Sequence, residues 1–150
     1  MKVGIISDTH GLMRPEALAR LEGCEAILHA GDIGGDEILA FLRDIAPVHA
    51  VRGNCDGSWA TGIPWTDLRE LGGHGFYLIH DLGEIDIEPK AAGVSVVVSG
   101  HSHQPAIDWR DDVLYLNPGS AGPRRFTLPI ALAILEVNAH GIRPEIVTLG

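Results

Sequence analysis

Five short apolar runs in this chain each stop at a residue with a lone pair to give: KVGIIS before Asp8, AILHAG before Asp32, VHAVRG before Asn54, FYLI before His80 and VSVVVSG before His101. Short β-branched runs bounded by glycine read as buried strands. In an α/β sheet the residues just past the carboxyl ends of the strands line the ligand crevice. If the five strands share one sheet edge, their terminal residues converge on a small volume. His10, two residues beyond Asp8, and His103, two beyond His101, bring the set to seven oxygen and nitrogen donors. That is too many for one tetrahedral zinc and suits two metals sharing a carboxylate.

A chain of 150 residues, 45% apolar, holds one domain with a real core, taken here as 1–150. Eleven basic against 20 acidic residues give a net charge of -9, so no global basic field exists to hold a nucleic-acid backbone, and nucleic acid is not expected as a stable partner. A small anionic substrate would have to be held locally, and bound divalent cations supply such a field even on an acidic protein. Cys24 and Cys55 lack the dense spacing of a secreted disulfide scaffold, so a reducing cytoplasm is the expected location. The apolar stretch before Asp8 is too short for a signal-peptide core or a membrane span. Self-association is compatible with the sequence, which does not specify it.

Periodicity and turn residues predict strands over 2–7, 26–30 and 48–51, with helices from Pro15 to about Leu21 and from Asp36 to Asp44 between them. This β-α-β-α-β start implies parallel strands with right-handed crossovers. The segment 55–64 reads as a surface loop near the site. Beyond it, strands 65–71 and 76–80 flank Gly72, Gly73, His74 and Gly75, a short helical piece covers 88–92, and strands follow at 94–99, 106–110, 113–116, 130–137 and 142–149. The second half is expected to be mostly antiparallel hairpins. Together these elements predict an α/β fold, a layered sandwich of two mixed β-sheets flanked by helices.

Glycine precedes three of the five strand-end residues, at Gly31, Gly53 and Gly100, which lets the chain turn sharply in a crowded site. Asp8-Thr9-His10 and His101-Ser102-His103 are pairs spaced to point the same way from an extended or turning backbone. With DTH (8–10), GD (31–32), GNCD (53–56), His80, GHSH (100–103) and NPGS (117–120) in order along nearly the whole chain, the sequence resembles the calcineurin-like metallophosphoesterases. It is most similar to their small bacterial and archaeal phosphodiesterase branch. The resemblance implies a fold of the kind just described and two divalent metals. One metal would be held by Asp8, His10, Asp32 and His103, the second by Asp32, Asn54, His80 and His101, with Asp32 bridging. It further implies hydrolysis of a small phosphoester, by preference a diester, through attack of a metal-bridging hydroxide. The metal implied is manganese, and the donor set also suits iron, zinc, cobalt or nickel. The same family contains a retromer scaffold subunit that keeps the fold without activity, so an inactive interaction module is the alternative reading.

Departures from the family pattern shape the remaining expectations. Cys55 stands where the wider family has the histidine assigned to leaving-group protonation; a thiol, with a reference pKa of about 8.5, is the candidate proton donor. The aspartate that larger members pair with that histidine is replaced by Gly35, which favours diesters or good leaving groups. Asp56 is grouped with Cys55 as catalytic, through a hydrogen bond that orients a metal ligand. Arg124 and Arg125 follow NPGSAGP, and Arg124 is the candidate for gripping phosphate bidentately. Asp81 replaces the branch's usual glycine, and residues 81–93 look shortened. His29 and His49 lie in apolar strands and His74 and His140 in turns, so all four are expected to be structural or solvated. Arg52 is expected to pair with an acid, Trp59 and Trp65 to pack in the core, and Asn117 and Ser120 to organise a turn.

Overall fold

A computed structural model describes residues 1–149 of the chain. The apolar runs become β1 (Lys2–Ile6), β2 (Ala26–His29) and β3 (Val48–Ala50), joined by α1 (Pro15–Leu21) and α2 (Asp36–Arg43). Pro15 starts α1, where the fixed φ of proline fits and its missing N–H costs nothing. Asp36 and Glu37 in the first turn of α2, and Arg43 in its last, match the helix dipole, while Ile38, Leu39 and Leu42 form the buried stripe. β4 (Thr66–Leu71), β5 (His74–Ile79), β6 (Val94–Val98), β7 (Ala106–Arg110), β8 (Val113–Asn117), β9 (Ala131–Asn138) and β10 (Gly141–Thr148) follow.

Two five-stranded sheets result, in the orders β10-β9-β1-β2-β3 and β4-β5-β6-β8-β7. Both are mixed. In the first, β1, β2 and β3 are parallel, and the β9–β10 hairpin adds antiparallel to β1. In the second, β5, β6 and β8 are parallel, with β4 and β7 antiparallel at the two edges. The sheets bury their facing sides against each other through residues such as Val3, Ile5, Leu28, Phe76, Leu78 and Val98. Both α-helices cover the outer face of the first sheet, where Ile6 and Ile27 meet Leu21, Ile38 and Leu42. Over the outer face of the second sheet lie Leu82, Ile85 and Ile87 instead. Among the described residues no helix is long and apolar enough to cross a membrane.

The second half is mostly antiparallel hairpins, as expected: β4–β5, β7–β8 and β9–β10. The exception is β6, parallel to β5, which needs a crossover; the segment after His80 supplies it while covering Tyr77 and Val97. Two expectations are revised. Residues 88–92 form a turn rather than a helix: between Pro89 and Gly93 there is room for one turn, closed by Gly93 at φ 77 and by the Val94 N–H on the Pro89 carbonyl. A 3-10 turn forms earlier, at Leu82–Glu84, with Asp81 accepting from the Gly83 N–H. Finally, the β4–β5 turn is only Gly72-Gly73, both at positive φ, so His74 and Gly75 belong to β5.

Candidate metal centre

The loops at the carboxyl ends of β1, β2 and β3 meet those of β5 and β6 across the sandwich. The strand ends therefore converge from two sheets, three from one and two from the other, rather than from the single edge expected. Parallel neighbours make this possible, since only parallel strands deliver consecutive carboxyl ends to one side. The first two loops are zipped together by N–H to carbonyl bonds from Asp8 to Gly31 (3.0 Å), His10 to Asp32 (2.9 Å) and Gly11 to Ile33 (2.9 Å). Across the sandwich, the His101 N–H donates to Asp8 Oδ2 (3.1 Å), which also accepts from Ser7 Oγ (2.7 Å). The three glycines make the convergence possible. A Cβ on Gly100 would strike Ser7 Oγ and come within 2.6 Å of Asp8 Oδ2; one on Gly53 would strike the Asp32 carboxylate; one on Gly31 would lie 2.7 Å from His80 Nδ1.

All seven sequence-predicted donors come together. Asp8 Oδ1 lies 3.3 Å from His103 Nε2, 3.8 Å from His10 Nε2 and 3.9 Å from His80 Nε2. Asp32 Oδ2 lies 3.2 Å from His80 Nε2 and 3.8 Å from His10 Nε2. His101 Nδ1 is 3.2 Å from Asn54 Oδ1. Two triads have donor atoms mutually within 4.8 Å, Asp8-His10-His103 and Asp32-His80-His101, and a third, His10-Asp32-Cys55, overlaps both. Asp32 thus touches a member of each proposed half-site.

The donors fit cations better than they fit one another. His80 Nδ1 sits 2.7 Å from the Ala30 carbonyl, so a neutral ring donates there and turns the Nε2 lone pair toward the Asp32 carboxylate. Two lone pairs at that distance repel unless a proton or a cation lies between them. Asp8 Oδ1, His80 Nε2 and His103 Nδ1 are buried without a hydrogen-bond partner, a deficit native interiors rarely tolerate without a reason. Electrostatics agree. Burial disfavours charge on His80, yet the facing Asp32 and Asp8 and the Ala30 carbonyl outweigh it and raise its pKa. Burial likewise opposes charge on Asp32, but His80, the Cys55 N–H and His10 hold it far below the usual carboxylate range. His103 is lowered, chiefly by burial and by the positive charge of Arg125 against the pull of Asp8. The backbone is strained as well: Asp8, His10, Asp32, His101 and His103 have φ between 47° and 72°, a region costing roughly 1–2 kcal/mol per L-residue.

Around these donors lies a supporting layer that the sequence showed only in part. Asp56 is buried, and its carboxylate accepts from the N–H groups of Gly53 (2.9 Å), Gly34 (3.0 Å) and Ile33 (3.1 Å). It therefore shapes the loops that carry Asp32 and Asn54, and does so through backbone rather than through a ligand side chain as expected. His29, expected to be structural, accepts from the Gly31 N–H (3.1 Å) and faces Thr9 Oγ1 (2.9 Å). Burial above all pushes its pKa down to about 3, and the ring stays neutral. Ser120 Oγ donates to the Asp8 carbonyl, and Asn117 bonds Gly100, Ser102 and Gly119, the turn-organising roles anticipated.

Cys55 is exposed beside the cluster, its N–H donating to Asp32 Oδ1 (2.8 Å). Burial and the Asp32 charge raise its thiol pKa, so the proton is retained at neutral pH. Arg124 is exposed and donates to the Leu128 carbonyl (3.3 Å), whereas the charge felt at Cys55 and His103 is that of Arg125. Two assignments fail outright. Among the described residues Arg52 pairs with no acid: it donates to the Asp56 and Gly57 carbonyls and lies 4.4 Å over the Trp65 ring. Trp59 and Trp65 are 38% and 59% exposed, because their loop runs over the surface instead of into the core.

The domain description "Calcineurin-like phosphoesterase superfamily domain" matches residues 1–140. The chain is 35% identical to a probable metallophosphoesterase of Methanothermobacter thermautotrophicus, over 100% of this chain and 94% of that one. Among solved structures, one described as a novel archaeal phosphodiesterase superposes with a TM-score of 0.80 at 26% identity, covering 98% of this chain and 100% of that one. The zinc complex of Vps29 from Entamoeba histolytica superposes with a TM-score of 0.77 at 25% identity, covering 100% of both.

Proposed function

The chain belongs to the calcineurin-like phosphoesterase superfamily, and from that premise we propose that it is a two-metal phosphoesterase acting preferentially on phosphodiesters. The observation that carries the reading is the gathering of seven donors, three of them with buried unpartnered atoms, at one strained cluster. Asp8, His10, Asp32 and His103 would hold one cation, and Asp32, Asn54, His80 and His101 the other. When bound, a pair of divalent cations clamps a phosphoryl group and supplies a nucleophile from water near neutral pH. The seven donors are oxygen and nitrogen only, a set that suits manganese, iron, zinc, cobalt or nickel; the resemblance to the family favours manganese among them.

The chain's own residues argue for diesters. A Cys55 thiol that keeps its proton is the one donor placed beside Asp32 for a leaving group, and with a raised pKa it gives that proton up reluctantly. Gly35 offers no carboxylate to assist it. Esters whose leaving groups depart without much protonation are therefore served best. The positive charge of Arg125 reaches this side of the cluster and suits a non-bridging phosphate oxygen; the neighbouring Arg124 is the second candidate.

The test is a screen of metal-stripped protein, reconstituted with one metal at a time, against matched aryl phosphate mono- and diesters. Diester turnover restored by manganese, and abolished by Asp32→Asn, is expected; equal turnover in the variant rejects the mechanism. A second reading has its own support in the likeness to Vps29: the fold as an interaction scaffold. A protein that binds two metals per chain and is inert on both ester classes would favour it.

A further inference from the structure

A cavity of about 560 Å³ opens directly off the cluster, with Asn54, His80 and His101 forming its inner wall. Its volume is that of a small-molecule site. Its lining also includes the aromatic and apolar side chains of Trp65, Tyr77 and Ile79 and the acids Asp81, Glu84 and Asp86. The three acids come from the crossover between β5 and β6, the segment in which Asp81 already departs from the family pattern. Asp81 spends one oxygen on the Gly83 N–H at 2.9 Å, which fixes the turn that presents Glu84. Among the described residues one cation lines the cavity, Arg52, whose Nη2 donates to two backbone carbonyls while the guanidinium covers a face of Trp65; its buried Nε has no partner.

A phosphoryl group seated at the cluster can place one of its ester groups in this cavity, which Asn54, His80 and His101 line. Cations held at Asn54, His80 and His101 would be taken up by the phosphoryl oxygens; beyond them three carboxylates face one guanidinium, so the part of the cavity lined by the crossover is negative, and Trp65, Tyr77 and Ile79 add apolar surface. A second phosphate there would meet like charge, and a neutral group would gain only contact area. An organic cation gains both, because an ammonium group is attracted to the carboxylates while its alkyl groups keep the contact area. We propose that the cavity selects phosphodiesters in which one ester group carries an ammonium, and that it rejects substrates with additional phosphates. The proposal rests on the phosphoesterase reading for its chemistry and on the cavity alone for its selectivity.

Three p-nitrophenyl phosphodiesters that differ only in the second ester group test it: choline (cationic), 3,3-dimethylbutyl (its uncharged isostere) and 2-carboxyethyl (anionic). Hydrolysis adds water at phosphorus and releases p-nitrophenolate in each case, so the readout is common. With the manganese-loaded protein, kcat/KM should fall in that order, by about tenfold from cation to isostere given three carboxylates of modest individual effect. The ratio should shrink as salt is raised. The double substitution Glu84→Gln, Asp86→Asn, at two exposed positions that leave the core intact, should lower the choline-to-dimethylbutyl ratio about fivefold by the same reasoning. A wild-type ratio of one or less, or a ratio the double variant does not change, overturns the proposal. Binding of the same diesters is followed in parallel by tryptophan fluorescence. If none is hydrolysed, the phosphoesterase reading fails, and tighter binding of the choline ester than of its isostere still supports the cavity, while equal binding sinks it.

Discussion

Gly53→Ala isolates the geometry of the cluster from its chemistry, since it alters no donor. Gly53 has no positive φ, so alanine meets no backbone penalty. Its Cβ, however, would strike Asp32 Oδ1 and the Asp32 backbone nitrogen and lie 2.8 Å from Asp32 Cγ, closer than real Cβ contacts come. Two of these atoms belong to a carboxylate already fixed by the Cys55 N–H at 2.8 Å, and the third is main chain, so no flexible side-chain end can yield. Relief requires Asp32 and the 53–55 turn to separate by roughly 1 Å, a displacement that can cost about 100-fold in rate at a catalytic centre. Overpacking of this kind also costs about 1–3 kcal/mol of stability. Gly62→Ala is the control, because a Cβ there meets nothing within 4 Å. Metal stoichiometry by calorimetry, and turnover of bis(p-nitrophenyl) phosphate, should show the Gly53 variant folded, short of its second metal equivalent and at least about 100-fold slower, with the Gly62 variant like wild type. Two full equivalents bound and an unchanged rate in Gly53→Ala would refute the claim that Asp32 is the shared ligand held against that turn.

Two other perturbations probe the supporting layer. Asp56→Ala leaves the N–H groups of Ile33, Gly34 and Gly53 without their acceptor, so urea denaturation should show a loss of about 3 kcal/mol or more, and metal titration about 10–100-fold weaker binding; a stability loss with unchanged metal affinity would detach Asp56 from the site. His29 is neutral in the fold, with a pKa pushed from 6.5 down to about 3 mainly by burial, whereas the unfolded chain takes up its proton. The unfolded state then binds more protons between those values, so stability falls as the solution is acidified through that window, by about 1.4 kcal/mol per pH unit. His29→Gln should remove that slope between pH 6 and pH 4 (roughly the middle of the window), and parallel slopes in both proteins would show that His29 does not carry it.

What the sequence displays and what it hides divide along the range of the interaction. The apolar runs before Asp8, Asp32, Asn54, His80 and His101 are local signals, and each became a strand or its immediate end. The sheet to which each strand belongs is set by long-range pairing. Nothing in FYLI or VSVVVSG states that β5 lies parallel to β6, or that β8 rather than β7 is the next neighbour. Asp56 was noticed, but its three partners are backbone groups, which leave no trace in residue identity. The apolarity of Trp59 and Trp65 suggests the core, although the polar, turn-rich run CDGSWATGIP, which contains Trp59 and immediately precedes Trp65, marks a surface course. Arg52 follows from Trp65: once the ring is outside, the guanidinium has a face to cover. The acids at 81, 84 and 86 are plain in the sequence, but they acquire meaning only when the crossover places them beside His80.

Cation occupancy by itself does not separate an enzyme from an inactive interaction module, so the separation has to come from how the cluster meets solvent. Asp8, Asp32, His80 and His103 are buried, while Asn54, Cys55 and His101 are exposed. A purely structural metal site is expected to be closed, with every position filled by protein. Here one flank of the cluster opens on a cavity, and the only thiol beside it faces outward. Left-handed backbone at five donors costs several kcal/mol in sum, a large fraction of the 5–15 kcal/mol that typically stabilises a whole domain. Two sheets already hold this fold through Phe76, Leu78, Val98 and their neighbours, so the strain is not needed for folding. Strain of this kind concentrates at sites that act on a ligand, and an open, strained, acid-walled cluster is best explained as one shaped for a substrate that arrives and leaves.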